Sequence, residues 1–180
     1  DESNAMKRVI STAGHYAYLK ISEGCDNYCT YCVIPKMRGR HRSRTMDSLV
    51  MEASSLAERG VKELLVVAQD TSIYGRDIYG RPMLHELLKR LCRIEGIEWI
   101  RLLYCYAETL TDETIRTMAE EDKICKYIDI PIQHGSDSVY AESVHMILFD
   151  PVHSIRNKEV FDFIFSVIEN FCPPVGMLAF

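Results

Sequence analysis

Short apolar segments recur along the chain, and between them lie stretches whose apolar residues return every three or four positions. Residues 17–22 alternate and are rich in strand formers. Residues 64–68 form an uninterrupted apolar run of the kind found in parallel strands buried on both faces. Residues 99–104 and 127–131 are also rich in strand formers. The pattern predicts four strands.

Three amphipathic helices are predicted between these strands. Thr45 is a suitable N-cap for the first helix, which should end before Gly60. Pro82 can serve as the first residue of the second helix, which should end before Gly96, and Thr111 is a suitable N-cap for the third. The residues expected to face inward are Met46, Leu49, Val50, Ala53, Leu56, Ala57, Leu84, Leu87, Leu88, Leu91, Ile115, Met118 and Ala119. Strands that alternate with helices predict an α/β fold, a partial (β/α) barrel in which outer helices cover a parallel sheet.

Polar residues follow each predicted strand. A cysteine-containing loop follows the first strand, Gln69 and Asp70 follow the second, residues 104–106 follow the third, and residues 133–136 follow the fourth. The carboxyl ends of parallel strands meet at one edge of a sheet, where active sites of such folds lie. We therefore expect these residues to line one site.

Cys25, Cys29 and Cys32 lie close together, directly after the first strand. Three thiolates on one loop can hold three corners of an iron-sulfur cube and leave the last iron without a protein ligand. Two other uses stay open. One is a structural zinc site, which needs four ligands, although only His41 is near the cysteines. The other is a disulfide framework, which is typical of small secreted chains. The other cysteines stand singly among apolar neighbours, as small buried hydrophobes do: Cys92, Cys105, Cys125 and Cys172.

Composition limits the class of protein. The chain has 180 residues, and 47% of them are hydrophobic, which suffices for the core of one domain. Its formal net charge of −5 argues against a dedicated nucleic-acid binder. No apolar run approaches the roughly 18 residues that span a bilayer, and no secretion signal opens the chain. The sequence thus predicts a cytoplasmic protein without membrane contact.

A basic segment, residues 36–44, follows the cysteine loop directly. Its side chains include Lys36, Arg38, Arg40, His41, Arg42 and Arg44. A solvated, partly mobile loop would account for such a run. The functional alternative is an anion grip beside the site, for a substrate carboxylate or for ribosomal RNA near the substrate. Both interpretations stay open.

The Cys-x3-Cys-x2-Cys spacing, with Tyr31 before the last cysteine, resembles the radical S-adenosylmethionine (SAM) superfamily. That resemblance implies a 4Fe-4S cluster held by Cys25, Cys29 and Cys32, with an open iron that chelates the amino and carboxylate groups of SAM. An electron from the cluster would then break a carbon-sulfur bond and release a 5′-deoxyadenosyl radical. The implied fold is the radical SAM type of partial barrel.

Within the superfamily the chain resembles the methylthiotransferases, on residues 23–32, 38–39, 43–44, 68–71 and 74–75. The Ala-Gln-Asp-Thr sequence at 68–71, together with residues 101–106, is similar to the branch that methylthiolates an aspartate of a small-subunit ribosomal protein. The branch that modifies tRNA is the alternative. In either branch the electron would come from a donor such as a flavodoxin-like protein.

The resemblance also implies site residues. The backbone around Tyr31 would contact the adenine of SAM, and Gln69 would meet its amino end. Asp70, Tyr104 and Gln133 are further candidates for the same pocket. The ordinary alternative for these side chains is a hydrogen-bonded polar group at a strand end, or for Asp70 a turn acceptor.

Three segments are expected along the chain. Residues 1–5 look like the remnant of a cleaved tag, residues 6–139 form the radical SAM core, and residues 140–180 do not match the family pattern. Methylthiotransferases carry a second, sulfur-supplying cluster in a further domain. We therefore expect this chain alone to bind a cluster without completing sulfur insertion; a non-catalytic fragment that keeps only the cluster loop is the alternative.

Overall fold

A computed structural model describes residue 12 and residues 14–130 of the chain. The helices and strands, in chain order, are β1 (Tyr16–Lys20), β2 (Ser22–Glu23), α1 (Ile34–Arg38), β3 (Arg42–Ser43), α2 (Met46–Glu58), β4 (Glu63–Val67), α3 (Arg76–Tyr79), α4 (Leu84–Cys92), β5 (Trp99–Leu102) and α5 (Asp112–Glu120). Gln133 and the segment 140–180 lie outside the described residues, as do residues 1–5.

The central sheet is parallel and has the strand order β1-β4-β5. Tyr16 pairs with Glu63, and Glu63 pairs with Trp99, so the three strands start level with one another. Helix α2 connects β1 to β4, and α4 connects β4 to β5, which confirms the predicted α/β architecture with a parallel sheet. All three strands therefore end at the same edge.

The first predicted strand, residues 17–22, is divided into two strands, and this corrects the sequence-based expectation. The N–H of Ile21 still donates to the carbonyl of Val67 (3.0 Å), but the carbonyl of Ile21 accepts from Arg44 (2.9 Å). Backbone pairing therefore passes from the central sheet to a second, antiparallel ladder between β2 and β3. The change of partner turns the chain toward the cysteine loop.

One face of the central sheet carries the core. Leu19, Leu64 and Ile100 are fully buried there, whereas Tyr18 on β1 and Trp99 on β5 are exposed on the opposite face. The strand at residues 63–67 alternates between buried and half-buried positions, so the expectation that it is buried on both faces is wrong. The half-buried positions within the predicted run are Leu65 and Val67, which are apolar like their buried neighbours, so the run could not show which face is covered.

In the helices, the residues predicted to face inward are buried or half-buried. Thr45 caps α2 by accepting from the N–H of Ser48 (3.4 Å), and Thr111 caps α5 by accepting from Thr114 (3.3 Å). The four leucines expected to face inward on α4 are fully buried, and they are Leu84, Leu87, Leu88 and Leu91. Of the inward-facing residues expected on α5, Ile115 and Met118 are buried and Ala119 is half-buried.

Two further predictions, the start of one helix and the fourth strand, need correction. Helix α4 begins at Leu84 rather than at Pro82, because the N–H of Met83 donates to the carbonyl of Tyr74 (2.7 Å) and the chain at Pro82 is outside the helix. The fourth predicted strand, residues 127–131, is not a regular strand over its described part. Ile124 instead forms a parallel bridge with Ile100. The chain after Ile124 thus runs along the outer edge of β5 before continuing past the described residues.

A substitution at Leu88 tests the assigned core directly. We expect Leu88→Ala to lower the free energy of unfolding by about 2–5 kcal/mol, because it leaves a cavity under α4. Met51→Ala on α2 is the matched control, since Met51 is 58% exposed and should change the free energy by less than about 0.5 kcal/mol. Urea denaturation followed by circular dichroism measures both. Equal destabilisation by the two substitutions would contradict the assigned core.

Candidate functional site

The cysteine loop is closed at its base by the short ladder between β2 and β3. Ser22 pairs with Ser43, and Glu23 pairs with Arg42. Residues 24–41 between these strands therefore form one loop that contains the three clustered cysteines and α1. Because β2 follows β1 directly, the loop starts at the carboxyl edge of the central sheet.

The two ends of the loop are in backbone contact. The N–H of Cys25 donates to the carbonyl of Gly39 (3.2 Å), and the N–H of His41 donates to Oδ1 of Asp26 (3.1 Å). Gly24 has a φ of +79°, and a Cβ atom there would lie 2.1 Å from the carbonyl oxygen of Arg40. Only glycine allows this approach, because any side chain would collide with backbone that cannot rotate away.

All three clustered cysteines lie on this loop. Cys25 and Cys29 are buried, Cys32 is half-buried, and all three are free thiols. The N–H of Cys32 donates to the carbonyl of Cys29 (2.9 Å), and the N–H of Asn27 donates to Sγ of Cys25 (3.5 Å). Burial raises the pKa of the Cys25 thiol to about 11, so an iron ion must displace its proton on binding.

This donor set fits an iron-sulfur cluster. Within residues 12 and 14–130, no three His, Cys, Asp or Glu side chains converge as the ligands of a single metal ion would. In a 4Fe-4S cluster each thiolate ligates its own iron, so the sulfurs need not meet at one point. Three unpaired thiols on one closed loop can ligate three of its irons, and the N–H of Asn27 lies against one of the sulfurs.

Asp70, at the end of β4, is fully buried beneath the cysteine loop. Its Oδ2 accepts from Nδ2 of Asn27 (3.1 Å), and its Oδ1 accepts from the N–H of Ser72 (3.1 Å). Burial raises the pKa of Asp70, and the hydrogen bonds from Asn27 and Ser72 oppose that rise. The structure thus places Asp70 as an acceptor within a turn, with both of its carboxylate oxygens engaged.

Gln69 lies beside Asp70 and is half-buried. Its Oε1 is enclosed and has no hydrogen-bond partner in the part of the chain that the structure describes. A buried acceptor without a partner costs free energy, which a bound polar ligand could recover. The contact between Gln69 and the amino group of SAM stays a prediction, and this unsatisfied oxygen is compatible with it.

The other two described candidates lie at the rim of the site. Tyr104 follows β5, is 52% exposed and has a φ of +58°, a left-handed conformation uncommon for residues other than glycine. Its N–H donates to Oδ2 of Asp129 (3.0 Å), and its carbonyl accepts from Thr71 (3.0 Å). Tyr31 is 62% exposed on the cysteine loop. Their roles toward SAM stay predictions, as does the role of Gln133.

Two residues that contact this loop received no individual role in the sequence analysis, which placed Tyr106 at the site only as one of residues 104–106. Asn27 stands between the cysteines and joins them to Asp70. The half-buried Tyr106 hydrogen-bonds with the Cys29 thiol and the Asn27 side chain, and burial raises its pKa. Its N–H donates to Oγ of Ser72 (2.7 Å). The position of Tyr106 just after the third predicted strand was the one sequence signal for it, and Asn27 had none beyond its place among the cysteines.

Only part of the basic segment 36–44 presents free cations. Arg44 forms an ion pair with Glu52 (2.5 Å), and Arg38 forms one with Glu23 (3.6 Å). His41 is buried, and the guanidinium of Arg42 donates to the carbonyls of residues 38 and 40. The exposed cations whose side chains have neither a hydrogen-bond nor an ion-pair partner among the described residues are Lys36 and Arg40.

Comparison with curated proteins identifies close relatives. The chain is 59% identical over 136 residues to the ribosomal protein uS12 methylthiotransferase RimO of Clostridium tetani, an alignment that covers 76% of this chain and 31% of the relative. It is 55% identical over 136 residues to RimO of Clostridium kluyveri, with coverage of 76% and 30%. The chain thus spans about three tenths of the length of these relatives.

Solved structures show the same fold. The radical SAM methyltransferase TsrM of Kitasatospora setae, solved with cobalamin and a [4Fe-4S] cluster bound, superposes with a TM-score of 0.65 at 16% identity. That superposition covers 87% of this chain and 29% of TsrM. No helix in the described part of the chain is long and apolar enough to cross a bilayer.

A family model extends the similarity along most of the chain. The model described as the radical SAM superfamily matches residues 19–172, which begins within β1 and passes the boundary predicted at residue 139. That boundary stays a prediction. The matched region contains the cysteine loop and the strand ends around it. The family model matches most of the chain, and the fold and the cysteine loop agree with that match. The chain therefore belongs to the radical SAM superfamily.

Proposed function

We propose that this chain is the radical domain of a methylthiotransferase that modifies an aspartate of a small-subunit ribosomal protein, uS12. The observation that carries the proposal is the closed loop of three free thiols at the carboxyl edge of a parallel sheet. Identity of 55–59% to the RimO proteins over about three quarters of the chain supports the choice of substrate. The alternative is a tRNA methylthiotransferase domain.

Cys25, Cys29 and Cys32 would hold the cluster in this proposal. When bound, a 4Fe-4S cluster supplies the electron that cleaves SAM, and SAM supplies the group that removes hydrogen from an unactivated carbon. The chain's own residues hold and shield these groups. The ladder between β2 and β3 fixes the loop, and Gln69 offers an unsatisfied acceptor at the adjoining strand end. Burial of Cys25 and Cys29 keeps water from two of the three sulfurs.

We propose partners on the same basis. The electron donor would be a flavodoxin-like protein, and the protein would work in the cytoplasm, where ribosomal proteins are modified. Ribosomal RNA near the substrate would meet the basic segment 36–44. Because Arg44 and Arg38 are already paired with carboxylates, that contact would fall mainly on Lys36 and Arg40.

Transfer of deuterium tests the proposed substrate without requiring sulfur insertion. The chain is reconstituted anaerobically with iron and sulfide, and is then given SAM, a strong reductant and uS12 deuterated at the β-carbon of its aspartates. We expect 5′-deoxyadenosine that carries deuterium, because the hydrogen removed in the reaction ends on that product. Mass spectrometry measures the label.

The control is uS12 in which the target aspartate is replaced by alanine. If this variant yields as much deuterated 5′-deoxyadenosine as the unaltered protein, the proposal of a specific aspartate substrate is contradicted. Label obtained from deuterated tRNA instead of uS12 would favour the tRNA branch. Release of no 5′-deoxyadenosine by an iron-loaded chain would contradict catalysis altogether and favour a non-catalytic fragment.

A further inference from the structure

A partly buried hydrogen bond joins the segment after β4 to the cysteine loop. Nδ2 of Asn27 donates to Oδ2 of Asp70 (3.1 Å), and Asp70 has no exposed surface. Oδ1 of Asp70 accepts from the N–H of Ser72 (3.1 Å), which fixes the carboxylate plane. Ser72 is itself held, because its Oγ accepts from the N–H of Tyr106 (2.7 Å). Asp70 is therefore fixed to the chain segments that follow β4 and β5.

Asn27 connects this fixed carboxylate to a cluster thiol. It lies between Cys25 and Cys29, and its backbone N–H donates to Sγ of Cys25 (3.5 Å). The direction of that N–H depends on the conformation of the loop at Asn27, and the side chain of Asn27 is anchored to Asp70. Hydrogen bonds to cluster sulfurs are among the factors that set reduction potential. A residue that holds Asn27 in place thus acts on the cluster without touching it.

We propose that Asp70 is a positioning residue that acts through Asn27: its buried carboxylate fixes the Asn27 side chain and so presents the Asn27 N–H to the Cys25 sulfur. This inference rests on the cluster site proposed above. It gives Asp70 a task other than contact with SAM, and it makes Asn27 a residue that ties the cysteine loop to the end of β4.

An exchange of the two side chains tests the link. Asn27→Asp places a second carboxylate against the buried Asp70, which opens the contact because like charges repel. The double variant N27D/D70N restores it. The introduced amide at position 70 can donate to the introduced carboxylate at position 27, and its oxygen can still accept from Ser72. The net charge of the double variant equals that of the unsubstituted chain.

Two quantities are measured on each full chain after anaerobic reconstitution. The first is the rate at which a chelator removes iron, which we expect to rise roughly 10- to 100-fold in N27D, the usual effect of losing a residue that orients a metal ligand. The second is the reduction potential of the cluster, which should become more negative in N27D because a sulfur loses a hydrogen bond and a carboxylate is added nearby. In N27D/D70N, iron release should return to the unsubstituted value and the reduction potential should move back toward it, because the link and the net charge are restored.

Asp47→Asn is the control, because the side chain of Asp47 is 91% exposed on α2 and its removal should change neither quantity. Iron release or potential in N27D equal to that of the unsubstituted chain would overturn the inference, and so would failure of the double variant to reverse both changes. If N27D does not fold, Asn27→Ala removes the link without adding charge, and unchanged iron release in that variant would also overturn it. An unsubstituted chain that takes up no cluster would instead refute the proposed function.

Discussion

Serine at positions 25, 29 and 32 removes the cluster from this protein. We expect the unsubstituted chain to bind about four iron ions after anaerobic reconstitution and the triple variant to bind essentially none, because a serine oxygen is a much poorer iron-sulfur ligand than a thiolate, and all three positions are changed together. Colorimetric assay of iron and sulfide, together with the visible absorption of the cluster, measures the loss.

Cys125→Ser provides the matched control, since Cys125 is a free, half-buried cysteine outside the loop. Its iron content should equal that of the unsubstituted chain. If Cys125→Ser lost as much iron as the triple variant, the assignment of the cluster to the loop would be wrong. The same would follow if the triple variant kept its iron.

Gly24→Ala should open the base of the cysteine loop, and this is the second large effect. The left-handed backbone at Gly24 alone costs alanine about 1–3 kcal/mol. In addition, the new Cβ would lie 2.1 Å from the carbonyl oxygen of Arg40 and 2.6 Å from that of Gly39. Because the atoms in conflict belong to backbone, the loop ends must separate. We expect the variant to fold and to lose its iron to a chelator roughly 10- to 100-fold faster.

Gly60→Ala separates the two causes. Gly60 has a φ of +90°, and no atom lies within 4 Å of the position its Cβ would take. This variant therefore carries the backbone strain without the collision. We expect it to lower the midpoint of urea denaturation while leaving iron release unchanged. Equal iron release from Gly24→Ala and Gly60→Ala would show that closure of the loop does not matter for holding the cluster.

The features that the sequence could predict are those encoded by neighbouring residues. Thr45 and Thr111 cap their helices as expected, since capping needs a side chain and an N–H only three residues apart. The leucine stripe of α4 is buried as its spacing predicts. The role of the clustered cysteines could be predicted in the same way, because their spacing alone restricts the chemistry they can perform.

The features that the sequence could not predict depend on contacts between distant residues. The ladder between β2 and β3 has only two residue pairs, too few to give a periodic pattern. Helix α4 starts after Pro82 because Met83 donates to Tyr74, a tertiary contact without a local signal. The bond from Asn27 to Asp70 spans 43 positions, so nothing near either residue indicated the other. The sequence therefore predicted which residues meet at the carboxyl edge of the sheet, but not the contacts that join them.

Electron paramagnetic resonance of the reduced, reconstituted chain tests the central claim most directly. The claim is that Cys25, Cys29 and Cys32 hold a 4Fe-4S cluster whose remaining iron is free to bind SAM. We predict a signal from the reduced cluster whose g values shift when SAM is added, because the ligand binds that iron. A cluster signal that SAM leaves unchanged, or purified chain that binds zinc and no iron, would contradict the claim.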